Sequence, residues 1–200
     1  MDTVTSRNTE EHVSLRVGEQ VFEVVSMRGR EGLSTLFRFE LTCRAAGDSP
    51  EPRALLAEPA RITLRDGHGH DRTIVGIIAE ADRRVFDDGG AEVVLVVRPQ
   101  VYLLTLGRDS RVFNDMTVVD IVKSVLSRSK AKTRWEVTAV YPPHVYCAQY
   151  REDDWLFVSR MLEEEGIYTW FDHEGGESTL VFSDNSKRAP DLAGGALIPY

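Results

Sequence analysis

The stretch "YREDDWLFVSRMLEEEGIYTWF", residues 150–171, decides how the rest of the chain is read. It sets six carboxylates, Glu152, Asp153, Asp154, Glu163, Glu164 and Glu165, among a run of aromatic rings. Two readings compete: an acid/base centre built from paired carboxylates, or a helix with one solvated side.

Helical spacing puts Trp155, Val158 and Leu162 on one stripe, with Phe157 and Met161 beside it. Asp153 or Asp154 suits the N-cap, where a side-chain oxygen accepts a backbone N–H. Gly166 suits the position past the end, which favours a left-handed backbone. The acidic start complements the helix dipole, whereas Glu163, Glu164 and Glu165 oppose it, at a few tenths of a kcal/mol each. That mismatch points to pairing with an arginine of another chain. A catalytic pair needs two carboxylates in different environments, one with its pKa raised by burial. Adjacent glutamates on an exposed helical end point in different directions and stay solvated. The expectation is therefore a scaffold helix, with its aromatics in the core and its carboxylates facing water.

Working outward, the first hundred residues read as β. "LFRFELTCR" alternates Leu36, Arg38 and Glu40 with Phe37, Phe39, Leu41 and Cys43, the period of a half-buried strand. Two further alternating runs flank "DGHGHD" (66–71), "DDGGAE" (87–92) is a second turn leading to "VVLVVRP", and "AAGDSPEPR" (45–53) is a polar loop. Antiparallel strands joined by hairpins into a barrel or sandwich are expected. After residue 103 the pattern changes. Thr117 and Asp120 approximate a capping box before Val118, Ile121, Val122, Val125 and Leu126, the spacing of an amphipathic helix. Trp135, Val137 and Ala139 alternate as a strand that Pro142-Pro143 breaks, "VYCAQY" is another, and a hairpin turns around Asp172–Glu177. The fold class expected is mainly β with minor α: a β-barrel domain over 1–103, then an α+β segment over 104–200 with two helices and a C-terminal hairpin.

Composition narrows function. Two hundred residues with 42% hydrophobic content can bury a substantial core. The formal charge is −8, concentrated in residues 151–200, which hold 11 Asp/Glu against 4 Lys/Arg. Such a chain is a poor general binder of nucleic acid. The basic run "KSVLSRSKAKTR" (123–134) has no interleaved aromatics and reads as a solvated helix terminus. Two cysteines, Cys43 and Cys147, make no disulfide framework. The N-terminus has no apolar signal region and no run approaches the roughly 20 residues of a membrane span.

Sites for chemistry are sparse. His68 and His70 in "GHGH", or His144 and Cys147, supply two ligands each, short of the three or four a zinc site needs. The other histidines, His12 and His173, lie near the terminus and in a turn. No Gly-x-Ser-x-Gly, Gly-x-Gly-x-x-Gly or Walker loop is present. Neither a catalytic residue set nor a cofactor, metal or small-molecule site is expected.

Four stretches together resemble the N-terminal region of the type VI secretion spike proteins, the valine-glycine repeat (VgrG) family. They are "EGLSTLFRFEL" (31–41), "LTLGRDSRVFNDMTVVDIVKSVL" (104–126), "CAQYREDDWLFVSRMLEEEGIYTWFDHE" (147–174) and "LVFSD" (180–184). The resemblance runs from about His12 to Tyr200. Positions matching the first signature are Gly32, Phe37 and Phe39. Those matching the second are Arg108, Asp109, Ser110, Arg111 and Phe113. The third is matched by Tyr150, Arg151, Glu152, Asp154, Phe157 and Arg160, and by Glu163, Glu164, Glu165 and Gly166. Their roles look architectural, with Arg108 and Arg151 as natural partners for the acidic helix.

The resemblance implies a phage baseplate hub-like fold, a homotrimer forming a pseudo-sixfold ring on a hexameric tube protein, and effectors or a needle tip as further partners. It implies assembly in the cytoplasm and export by contraction without a signal peptide. Family members continue through the rest of the hub, an oligonucleotide-binding-fold neck and a β-helix needle. This sequence stops at "GGALIPY", the pattern of a fragment or a short relative. "RTIVGIIAEA" (72–81) also lacks an aromatic common before the family's glycine. The rival readings are the hub of a phage tail or extracellular contractile particle, and a carboxylate- or metal-dependent hydrolase.

Overall fold

The computed structural model describes residues 12–45, 51–65, 71–87 and 90–188. Seven strands form the first layer: β1 (Val13–Val17), β2 (Gln20–Phe22), β3 (Val24–Gly32), β4 (Thr35–Arg44), β5 (Pro59–Leu64), β6 (Arg72–Val85) and β7 (Ala91–Arg98). A one-turn helix, α1 (Pro52–Leu55), separates β4 from β5, so the polar loop expected over 45–53 gives way to helix at Pro52, whose fixed φ suits a first turn. The order is β2-β1-β5-β6-β7-β4-β3 and every neighbouring pair is antiparallel. The sheet curls into a half-barrel.

Alternation decides which side faces inward. In β4, Phe37, Phe39, Leu41 and Cys43 are all buried while their neighbours are not, as the sequence period requires. Phe39 lies over Gly29 on β3, its cross-strand partner; a Cβ there would come within 2.3 Å of the ring. These side chains join Leu15, Ile62, Ile74 and Leu95 in one apolar cluster.

A 3₁₀ turn (Gln100–Thr105) leads to β8 (Arg108–Phe113), α2 (Val118–Leu126), β9 (Lys132–Glu136), β10 (Cys147–Asp153), α3 (Asp154–Glu164), β11 (Tyr168–Asp172) and β12 (Thr179–Ser183). The α2 reading holds in detail. Thr117 caps it by accepting from the Asp120 N–H at 3.2 Å, and Val118, Ile121, Val122, Val125 and Leu126 are buried. They pack with Phe113, Phe157, Met161 and Phe182 in a second cluster, which also takes Val101 and Leu104 from the 3₁₀ turn.

Two features escape hairpin logic. β8 pairs with β10 across 34 or more residues of sequence, and β12, after its hairpin with β11, pairs in parallel with β9. A parallel partner needs a crossover, here supplied by β10, α3 and β11, and no local turn signal announces it.

The two layers are latched at β11 and the turn that follows it. The Ser34 N–H donates to the Thr169 carbonyl at 2.8 Å, and Arg61 donates to the Gly176 carbonyl at 2.8 Å. His173 accepts the Val75 N–H at 3.2 Å, and Phe171 meets Phe37 edge-on at 5.0 Å.

Candidate functional site

The second and third signature stretches meet in the β8–β10 ribbon. Phe113 and Cys147, then Arg111 and Gln149, face each other on its inner side. At Arg151 the register slips by one residue, and its φ of 50° is the left-handed conformation of a bulge. Its N–H is held by the Ser110 hydroxyl at 3.1 Å. The extra residue leaves Tyr150 and Arg151 both outward, with the guanidinium 5.4 Å from the ring centre. It also turns Glu152, not Arg151, toward α3.

The consequence is a closed set of charge pairs at the start of that helix. Asp153 caps it, accepting the Leu156 N–H at 2.8 Å. The next residue, Asp154, is buried. Its carboxylate receives Arg111 in a short contact, the Gln149 amide at 2.9 Å, and Arg128 at 3.6 Å. Arg111 donates twice more to Gln149, at 2.9 and 2.7 Å, and Arg128 donates to Asp109 at 2.8 Å. Glu152 receives a two-pronged contact from Arg160, in the second turn of the helix. The hydrogen bond from Arg160 holds the Glu152 carboxyl below its usual range, and that from Arg128, with the Ser110 N–H, does the same for Asp109.

Three expectations are corrected here. Asp154 does not face water, because the first helical turn is where the ribbon closes over it. Tyr150 is not in the core but 70% exposed, because the bulge sends it outward. The partners of the acidic helix are Arg111, Arg128 and Arg160 rather than Arg108 and Arg151. Gln149 and Arg128 were missed altogether. Gln149 had a signal in hand, since it sits two residues from Cys147 on the inward face.

The remaining signature residues lie elsewhere. Phe37 packs on Phe171 and His173, and Gly32 ends β3. Phe157 is fully buried and stacked on Phe113 at 5.6 Å. Glu163 and Glu164 are exposed, Glu165 lies 3.6 Å from His144, and Gly166 has φ 70° as expected past a helix end. The first signature therefore belongs to the half-barrel and its latch, the other two to the ribbon and α3.

Chemically this arrangement resembles a clamp. At the head of α3, Glu152 and Asp154 face guanidinium groups and Asp153 caps the backbone, and Arg160 holds the Glu152 carboxyl below its usual range, the opposite of what a general acid needs. The basic run is largely occupied too: Lys123 lies over Trp135 at 5.1 Å, Lys132 pairs with Glu177, and Arg134 donates to Asp172 at 2.7 Å. Cys147 touches the Met161 sulfur at 3.5 Å, and burial pushes the Cys43 thiol up to about 12. Among the described residues no three His, Cys, Asp or Glu converge as a metal site. The turn with His68 and His70 lies outside the described residues.

Between the two layers opens a cleft of about 650 Å³. Asp109, Arg128 and Asp154 of the charge network reach it from one side, and Ile77 and Pro59 of the half-barrel from the other.

The chain matches the family described as phage tail baseplate hub (GPD) over residues 30–200. It is 35% identical to the type VI secretion system spike protein VgrG1c of Pseudomonas aeruginosa, over 94% of this chain and 26% of that protein. The chain thus spans about a quarter of that relative's length. In structure it is similar to the E. coli c3393 protein, described as a component of the type VI secretion system resembling bacteriophage tail proteins gp27 and gp5. The TM-score is 0.78 at 26% identity, over 86% of this chain and 49% of that one. A tail protein from Neisseria meningitidis shares the fold, with a TM-score of 0.64 at 19% identity over 90% of this chain and 52% of that one.

Proposed function

The chain belongs to the phage tail baseplate hub family, and on that premise we propose that it forms the head of a contractile-injection spike and acts by assembly rather than chemistry. The family and fold are those of structural hub and spike proteins rather than enzymes. The observation that carries the reading is the match of 94% of this chain to part of a spike protein, joined to a site whose carboxylates are locked in ion pairs.

In this reading the half-barrel and the α+β layer are two units, 1–103 and 104–200, with the 3₁₀ turn at Gln100–Thr105 as their joint. Three copies make a ring that adapts a hexameric tube protein to a puncturing tip, and effectors travel with the spike. The latch to Thr169, His173 and Gly176 keeps the joint rigid and the clamp at Asp154 fixes α3 to its ribbon, so that sheath contraction is transmitted as a rigid-body push. The protein is assembled in the cytoplasm and leaves by contraction. The signature positions are architectural: Phe37 and Phe39 order the half-barrel, Ser110 and Arg151 make the bulge, and Arg111 and Asp154 bind α3 to the ribbon. Glu163, Glu164 and Glu165 face a partner.

The Neisseria likeness favours a second reading, the hub of a phage-type tail. One experiment separates them. An antibody against residues 150–171 is used on cells and culture medium of the source organism, with and without its type VI sheath gene. Unlysed cultures that release the protein only when the sheath is present support the spike. Release that survives loss of the sheath, or none at all, overturns it.

A further inference from the structure

The cleft between the layers has an aliphatic floor of Pro59, Ile77, Leu103 and Leu104, with Leu103 38% exposed. Its rim carries three cations, Arg108, Arg128 and Lys130, and two carboxylates, Asp109 and Asp154. Both carboxylates are already taken, by Arg128 and Arg111. Arg108 and Lys130 make no ion pair with any described carboxylate. An apolar floor is thus flanked by two cations without countercharge, on a chain whose net charge is −8. A volume of about 650 Å³ accepts a short peptide segment.

We propose that this cleft is a docking site for an acidic segment of a partner polypeptide, which seats one large apolar side chain on the Ile77–Leu103–Leu104 floor and sets carboxylates against Arg108 and Lys130. Charge complementarity fixes the sign of the occupant and the floor fixes its anchor. A nucleic-acid strand fits worse, because among the described residues no aromatic side chain lines the cleft to stack a base. Each rim pair is solvent-exposed and worth little alone, so the anchor supplies affinity and the cations supply selection.

The test is a positional-scanning library of fluorescein-labelled hexapeptides, read by anisotropy against the whole chain. The expected result is selection of one central Leu, Ile, Met or Phe flanked by Asp or Glu. Binding of the best peptide should weaken about tenfold or more in Arg108→Glu/Lys130→Glu, ~1.4 kcal/mol. It should also fall as salt is raised to about 0.5 M. Leu103→Glu, at a partly exposed position, should abolish binding without touching either cation. Arg28→Glu/Arg30→Glu, on the edge strand β3 and outside the cleft lining, should bind as the parent does, and circular dichroism confirms that each variant is folded. Selection without acidic preference, or binding unmoved by Leu103→Glu or by the charge reversal, overturns the proposal. Equal competition by a single-stranded oligonucleotide overturns it in favour of a plain cationic patch.

Discussion

At its N-terminal end α3 carries Glu152, Asp153 and Asp154, and at its C-terminal end Glu163, Glu164 and Glu165; composition does not tell these ends apart, but the fold does. The first cluster lies where β10 runs into the helix, so its carboxylates meet β8, the turn after α2 and the helix itself. One caps the backbone, one is buried among two arginines and a glutamine, and one is gripped by Arg160. The second cluster ends on a left-handed glycine, where Glu165 lies 3.6 Å from His144 and Glu163 and Glu164 stay in water. Identical chemistry acquires a structural role only where topology brings countercharges to it.

Phe157 sets the scale for what this helix contributes. It is fully buried between the clusters and stacked on Phe113. Phe157→Ala is expected to destabilise the chain by about 3–5 kcal/mol in urea unfolding. A loss under about 1 kcal/mol would mean the helix is not held by its apolar face, and both acidic ends would then have to be reassessed.

Asp154→Ala comes next, at about 3 kcal/mol, because it removes the buried carboxylate that Arg111, Gln149 and Arg128 share. The Arg111→Ala change should be similar, and the double variant should cost much less than the two added together. If the two losses simply summed, the pair would not be acting as one unit and the clamp would fail as an explanation.

Glu152→Gln should cost less, up to about 1 kcal/mol, since Arg160 is partly exposed. Its signature is pH dependence. Arg160 lowers the folded-state pKa of Glu152, so the contribution is complete well above the ordinary value of 4.5 and is lost as pH falls through the lower folded one. Parent and variant should therefore converge in acid and separate near neutrality. A gap that widened on acidification would break the assignment. His173 supplies a second pH effect at the latch. Burial lowers its pKa, so protonation favours the unfolded chain and stability falls as pH drops below the ordinary 6.5. His173→Phe should flatten that part of the profile.

Much of this was legible before any coordinates. Period-2 alternation in β4 and the 3.6 spacing of α2 follow from local burial, and local burial is what a linear pattern records. Thr117 and Gly166 were legible for the same reason, since caps are local. The clamp was not. Arg111 and Asp154 are 43 residues apart in sequence and meet only because β8 and β10 pair, and a one-residue bulge at Arg151 exchanges which charges face the helix. No local signal marks that bulge, so the sequence offers Arg108 and Arg151 as partners and leaves Glu152–Arg160 hidden. The parallel β9–β12 pair was out of reach for the same reason: it is a crossover contact without a turn to announce it.

The smallest expected effect is the sharpest test of the comparison. Glu164 is exposed at the negative end of the helix dipole, where an anion is slightly unfavourable. Glu164→Ala should then be neutral or stabilising by up to ~0.5 kcal/mol in the isolated chain, against about 3 for Asp154→Ala. A loss as large as that of Asp154→Ala would erase the contrast between the two ends. A neutral result in the isolated chain, combined with weakened assembly of the complete spike measured by light scattering, would give the C-terminal carboxylates a use that folding does not require. It would place the cluster at a contact between proteins, where a mild dipole mismatch is offset by an arginine supplied from outside.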